Sequence, residues 1–180
     1  MTAVTASASG PTLGFGPART VRLGISRIGY EVRSYFRQGD TVFFTFLFPL
    51  LMLTIFSVAF SDMGFGATPD GTAVTAAQYY LPAMLAAGAL LSGLQNMATD
   101  IAMERSDGTL KRLAGTPLSP VSYFIGKIGQ VLVTAVLQAA LLIAAAGTVF
   151  GVALPTDAEA WVTFAWVFLL GVTTCAILGI

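Results

Sequence analysis

The sequence predicts an all-α integral membrane protein, with four transmembrane helices preceded by a basic amphipathic helix. Three observations lead there. First, 56% of the 180 residues are hydrophobic and only 10% are charged, against roughly 25% charged in soluble domains. Second, four stretches are long and apolar enough to cross a bilayer. Third, all nine Lys and Arg residues fall on alternate connections between those stretches. Nine acidic residues balance them, and so few charges cannot cover a water-soluble globule of this size. A soluble enzyme, a disordered tail and a nucleic-acid binder are therefore poor fits, and no nucleic acid is expected as partner. The chain has no His and one Cys. It thus lacks the commonest general base and metal ligand and has no internal disulfide. Cys175 lies in an apolar run and is expected to be a small buried hydrophobe.

Residues 1–18 carry no charge and are rich in Ala, Ser, Thr, Gly and Pro, as in a flexible tail. They have neither the basic start nor the apolar centre of a secretory signal. Residues 19–39 then bring five Arg. On a helix at about 100° per residue, Arg19, Arg22, Arg33 and Arg37 share one side, with Arg27 off the cluster. Val21, Ile25, Ile28, Val32, Tyr35 and Phe36 fall opposite. This pattern predicts a helix lying in the membrane interface.

The first span is Thr41–Phe60, 20 residues without a charge and with Pro49 in its middle. At 1.5 Å per residue it covers about 30 Å, the thickness of the hydrocarbon core. The second span covers about 79–98, with Pro82 in its first turn, where a missing N–H costs least. The third covers about 121–153, long enough to tilt or to extend past the bilayer. Lys127 near its start is expected to snorkel to the headgroups. The fourth covers 161–180, with Trp161 as an interfacial anchor. The chain stops at Ile180 while still apolar, as expected of a fragment of a longer protein.

The distribution of bases orients the spans. Residues 1–40 carry five and the 99–122 connection three, with Lys127 adjoining it; the connections 61–78 and 154–160 carry none. By the positive-inside rule the N-terminus and the 99–122 connection face the cytoplasm, and Asp62, Asp70, Asp157 and Glu159 lie outside.

The connection 99–120 holds a short helix between two stops. Ser106 or Asp107 is expected to cap its start. Gly115 is expected in a left-handed conformation at its end, followed by the breaker Pro117. Leu110 and Leu113 share a face, with Lys111 and Arg112 beside them. Such a helix either docks on a cytoplasmic protein or is a solvated loop whose bases only set topology. Gln95, Asn96, Gln130 and Gln138 either line a substrate path or hydrogen-bond between helices. Small residues at helix-packing spacing are Gly88 with Ser92, Ala89 with Gly93, and Gly147 with Gly151.

The run Glu104-Arg105-x-x-Gly108-Thr109-Leu110-x-x-Leu113-x-x-Thr116-Pro117, with Gly126-Lys127 downstream, resembles the signature of ABC type-2 exporter permeases. The order of parts over residues 20–180 is similar too, with departures from the common pattern at Ser106 and Lys111. Members have six spans, which again implies a truncated chain here. The resemblance implies a coupling loop that contacts a separate ATP-binding subunit, including Lys111 and Arg112. Glu104 would end the second span and orient the loop, and the interfacial helix with Arg22, Arg33 and Arg37 would pack beside it. It further implies a second permease chain, location in the cell (inner or plasma) membrane, and export of a drug-like, lipid or glycan substrate. No cofactor is expected on this chain, because ATP and Mg would sit on the partner. In keeping with that, no phosphate-binding loop surrounds Gly126-Lys127: Val121 stands where the first Gly is needed and Ile128 follows the Lys.

Other classes fit less well. An ion-coupled secondary transporter usually keeps a carboxylate or His deep in the membrane, and no span has one at its centre. A membrane enzyme would have few candidates for a general base or metal site. A non-transporting assembly subunit has no distinguishing feature in the sequence.

Overall fold

A computed structural model describes residues 17–67, 71–116 and 119–180. The expected tail lies almost wholly outside them, as do Asp70 and Pro117. The chain is about 80% helical without strands among the described residues. In chain order it forms α1 (Pro17–Tyr35), α2 (Gly39–Ala59), α3 (Ala76–Leu90), a π-helical turn (Leu91–Asn96), α4 (Met97–Ser106), α5 (Thr109–Ala114), α6 (Pro120–Thr148) and α7 (Ala158–Leu178). Four helices are long and apolar enough to span a membrane: α2, the continuous rod Ala76–Ser106, α6 and α7. The fold is that of an all-α membrane protein.

Local chemistry sets most boundaries. Thr75 accepts from the Gln78 N–H and starts α3. Ser119 accepts from the Val121 N–H, with Pro120 at the first helical position of α6. That helix stops at Thr148 rather than near residue 153. The chain leaves it through Gly151 at φ +62°, in the left-handed region that favours glycine.

The second rod runs eight residues beyond the expected end at 98. At 1.5 Å per residue its 31 residues reach about 46 Å, well over the roughly 30 Å hydrocarbon core. The excess lets α4 carry Asp100 and Glu104 out of the apolar layer without breaking the helix. The connection expected over 99–120 is thus mostly helix, α4 followed by α5.

The long α6 is the hub, packed against α1, α2, α3, the π turn and α7. Two apolar clusters hold the bundle. Leu53, Leu81, Leu85, Leu142 and Ala146 join α2, α3 and α6. Met97, Val131, Ala135, Val172 and Ala176 join the second rod, α6 and α7. Only Val172 and Ala176 of α7 are buried. An apolar cleft of about 590 Å³, lined by Leu85, Ala89, Trp161, Phe164 and Phe168 among others, separates α7 from α3. The small residues act as close-approach points, though not always between helices. Gly93 meets Cys175 and Ala176 of α7, whereas Gly147 faces Leu154 of the following connection.

On α1 the structure resolves three faces where the sequence predicts two. Arg19, Arg22 and Arg33 are exposed together, and Arg37 is exposed just past the helix end, which falls at Tyr35 rather than at residue 39. Val21 and Ile25 form a separate exposed apolar strip, continued by the exposed Phe36 just past the helix. The third face packs on α6. Gly24 lies against Ile125, Arg27 against Gly126, and Ile28 against Gly129. The Ser122 hydroxyl donates to the Thr20 carbonyl across the same interface at 2.8 Å. Ile28 and Tyr35, expected on the lipid side, belong to this packed face.

Candidate functional site

The packed face of α1 leads into a cluster of buried charge. Glu31, 4% exposed, takes Arg27 of its own helix at 2.9 Å and Lys127 of α6 at 3.0 Å. Lys127, 3% exposed, also pairs with Glu104 of α4 at 2.7 Å. Asp100 lies 3.9 Å from the same ammonium. The Tyr123 hydroxyl donates to the second Glu104 oxygen at 2.6 Å. The Arg27 guanidinium stacks over the Tyr123 ring, 4.9 Å from its centroid.

The reason for this convergence is electrostatic. A lone charge in an apolar helix is costly and finds partners. Lys127 does so inwards and does not snorkel. One ammonium thereby ties α1, the end of the second rod and the start of α6 into a unit. Sequence reasoning placed Glu104 at the end of the rod but missed Glu31, Arg27 and Tyr123. The signal was present: Arg27 and Glu31 are an i, i+4 pair, and an apolar helix bearing one Lys needs a carboxylate nearby.

A second node lies one layer deeper. The Tyr35 hydroxyl donates to Thr45 Oγ1 at 2.7 Å, and Asn96 Nδ2 donates to the same oxygen at 3.0 Å. This joins α1, α2 and the π turn. Burial pushes the Tyr35 phenol above its ordinary value of 10.0, and the Asp100 carboxylate adds to the rise. The group therefore stays a neutral donor throughout the physiological range.

The connection after Glu104 differs from expectation in two details. Ser106 does not cap α5. It ends α4, and its hydroxyl donates back to the Met103 carbonyl. Gly108 occupies the cap position with φ +72°, a left-handed conformation that turns the chain between α4 and α5. Gly115, expected to be left-handed, has φ −80°. The end of α5 closes instead through tight turns, Gly115 N–H to the Arg112 carbonyl and Thr116 N–H to Leu113. Thr109, Leu110 and Leu113 are half-buried on the inner side of α5, while Lys111, Arg112, Thr116 and, on α4, Arg105 are exposed. Pro117 is outside the described residues.

Only Gln95 and Asn96 of the four amides share a cleft. Gln95 is exposed beside Phe44 and Phe48 in a cleft of about 250 Å³, and Asn96 makes the Thr45 bond. Gln130 lies away from them, in a cavity beside the charge cluster. Gln138 is buried against Gly88, and its Nε2 has no hydrogen-bond partner; nor does the buried Ser92 Oγ of the π turn. A π turn within an α-helical rod is a local departure frequently found at functional sites. Among the described residues no group of three acidic or thiol side chains could hold a metal ion.

No curated protein and no solved structure matches the chain. The family model for ABC-2 family transporter proteins matches residues 68–180. That match takes in α3 to α7, and so includes Glu104, the α5 helix and Lys127 but not α1 or α2. It covers more than half of the chain, which has the four apolar helices of a multi-pass permease. The chain belongs to the ABC-2 family of transporter proteins.

Proposed function

We propose that this chain is the transmembrane permease subunit of an ATP-driven exporter. In this reading the exposed side of α5 contacts a separate ATP-binding subunit. The charge cluster passes the motion of α5 to the spans. The supporting observation is the Glu104–Lys127–Glu31 clamp. It sits immediately before the Gly108 turn, so a push on α5 moves α1, the second rod and α6 together rather than bending a loose loop. Glu104 is the positioning residue of this arrangement. Arg105, Gly108, Thr109, Leu110, Lys111, Arg112, Leu113, Thr116 and Pro117 form the docking segment, flanked by Arg22 and Arg33 of α1 and by Arg37 just past its end.

The N-terminus and α5 then face the cytoplasm of a cell-membrane protein, in line with the placement of all nine bases at that end. Two permease chains pair above two ATPase subunits, which carry the ATP and Mg. Gln95, Asn96 and Gln138 are the amides that would meet a drug-like, lipid or glycan cargo. The exposed Gln95 amide and the unpartnered Gln138 nitrogen support their inclusion. Gln130 drops out of this path because it belongs to the charged end.

The test is co-purification of the full-length chain with an ATP-binding subunit, followed by substrate-stimulated ATP hydrolysis. Glu104→Lys should lower that stimulation about tenfold or more, since it sets two ammonium groups against each other in the clamp. Transport that persists after ATP depletion, with the proton gradient intact, would overturn the reading.

A further inference from the structure

The charge cluster is not neutral where it meets open space. A cavity of about 180 Å³ opens among α1, α4 and α6. Four carboxylates line it, Glu31, Asp100, Glu104 and Asp107, against the single cation Lys127. Glu31 and Glu104 have close partners at 3.0 Å or less. Asp100 does not: its side chain is 18% exposed, its only cation is 3.9 Å away, and no hydrogen bond reaches its carboxylate among the described residues. A carboxylate largely out of water with one distant partner is an uncompensated cost. The second observation is Gln130. It is 4% exposed and lines the same cavity, and its side-chain amide makes no hydrogen bond among the described residues. The amide atoms are not among the fully buried unpartnered ones, so the amide opens onto the cavity and is free to bind an occupant.

We propose that this cavity binds a single alkylammonium group. Such a group brings one positive charge to offset the surplus of carboxylates. Its N–H donors suit two acceptors that line the cavity, the Asp100 carboxylate and the Gln130 carbonyl oxygen, with Asp107 at the mouth. A metal dication is a worse fit, because no three ligands gather to hold one among the described residues and the fixed charge of Lys127 repels it. The ammonium can come from a free amine or from the headgroup of an amine phospholipid, which the interfacial placement of α1 would bring close. The proposal does not depend on the ATPase partner discussed above.

The experiment measures thermal stability of the purified full-length chain. In one arm, protein in detergent is titrated with ethanolammonium chloride, with choline chloride and sodium chloride at matched ionic strength as comparators. Choline carries the same charge but no N–H donors. In the other arm, phosphatidylethanolamine nanodiscs are compared with phosphatidylcholine nanodiscs. The expected result is a rise in Tm with the primary ammonium and none with choline. Asp100→Asn and Gln130→Leu should each weaken the apparent affinity about tenfold or more, the worth of a charge-assisted hydrogen bond. A response to the soluble amine identifies a free-amine site; a response in the lipid arm alone identifies the headgroup. If Asp100→Asn does not fold, Gln130→Leu carries the comparison. No difference between primary and quaternary ammonium in either arm overturns the proposal, as does an equal shift in wild type and variants.

Discussion

Replacing Lys127 with Met tests the central claim, that one buried ammonium holds three elements together. Met keeps the length and apolar bulk of the side chain and removes only the charge. With an effective dielectric of about 20, unit charges at the observed 2.7, 3.0 and 3.9 Å attract by roughly 6, 5.5 and 4 kcal/mol before any cost is counted. Desolvation of the ammonium and repulsion among the carboxylates consume most of that gross figure. The relevant quantity is what happens when one partner of a buried pair is lost, about 3–5 kcal/mol. Arg27 still compensates Glu31 in the variant, so the loss should fall near the lower end, about 3 kcal/mol. The matched control is Lys111→Met, on the exposed side of α5, where a surface charge is worth about 0–1 kcal/mol. The assay is unfolding of the purified chain in mild detergent, run as a double-mutant cycle with Glu104→Gln. A coupling energy of at least about 1 kcal/mol between positions 104 and 127 is expected. If Lys127→Met costs no more than Lys111→Met, or the cycle closes additively, the clamp is not what joins α4 to α6.

Two further predictions concern other joints. Gly93→Ala sets a Cβ about 2.8 Å from Cys175 Cβ and 3.2 Å from the Ala176 backbone nitrogen. Because backbone has to move, this should cost about 1–3 kcal/mol and raise the reactivity of Cys175 toward a thiol reagent, whereas Gly171→Ala, with open space around it, should do neither. Tyr35 should contribute alkaline sensitivity. Its folded pKa is raised above 10.0, so its contribution is fully present below pH 10 and is lost as pH rises through the folded value. Tyr35→Phe should therefore flatten the stability decline measured above pH 10, and an unchanged slope would remove the buried phenol from the account.

The difference between what was legible in the residues and what was not follows the range of the forces involved. Length, hydropathy and the spacing of bases are one-dimensional properties. A helix needs only its own residues to satisfy its backbone in lipid. The four spans, their order and a short helix ending near Gly115 in the connection after the second span could thus be read directly. The motif also located Glu104 at the end of the second rod. Lys127 shows where this kind of reading stops. Its position near the end of an apolar helix is compatible with reaching outwards to headgroups or inwards to carboxylates. Only the close passage of α1 over Gly126 and Gly129 brings Glu31 within 3.0 Å and decides between them.

The two faces assigned to α1 failed for the same reason. Periodicity separates charged from apolar positions but does not say that Ile28 and Tyr35 pack on protein while Val21 and Ile25 stay exposed. The glycine conformations show the local counterpart. The residues offered Ser106 or Asp107 as the start of the short helix and a left-handed Gly115 as its end, and only the path of the chain out of α4 put the positive φ at Gly108 instead. By itself, then, the sequence determined a four-span helical protein with its bases at one end, because each helix and each transfer into lipid depends on local composition. The tertiary structure alone decided that those charges form a buried clamp with an open acidic cavity beside it. The partners are up to about a hundred residues apart, and an ion pair exists only when packing brings both groups out of water together.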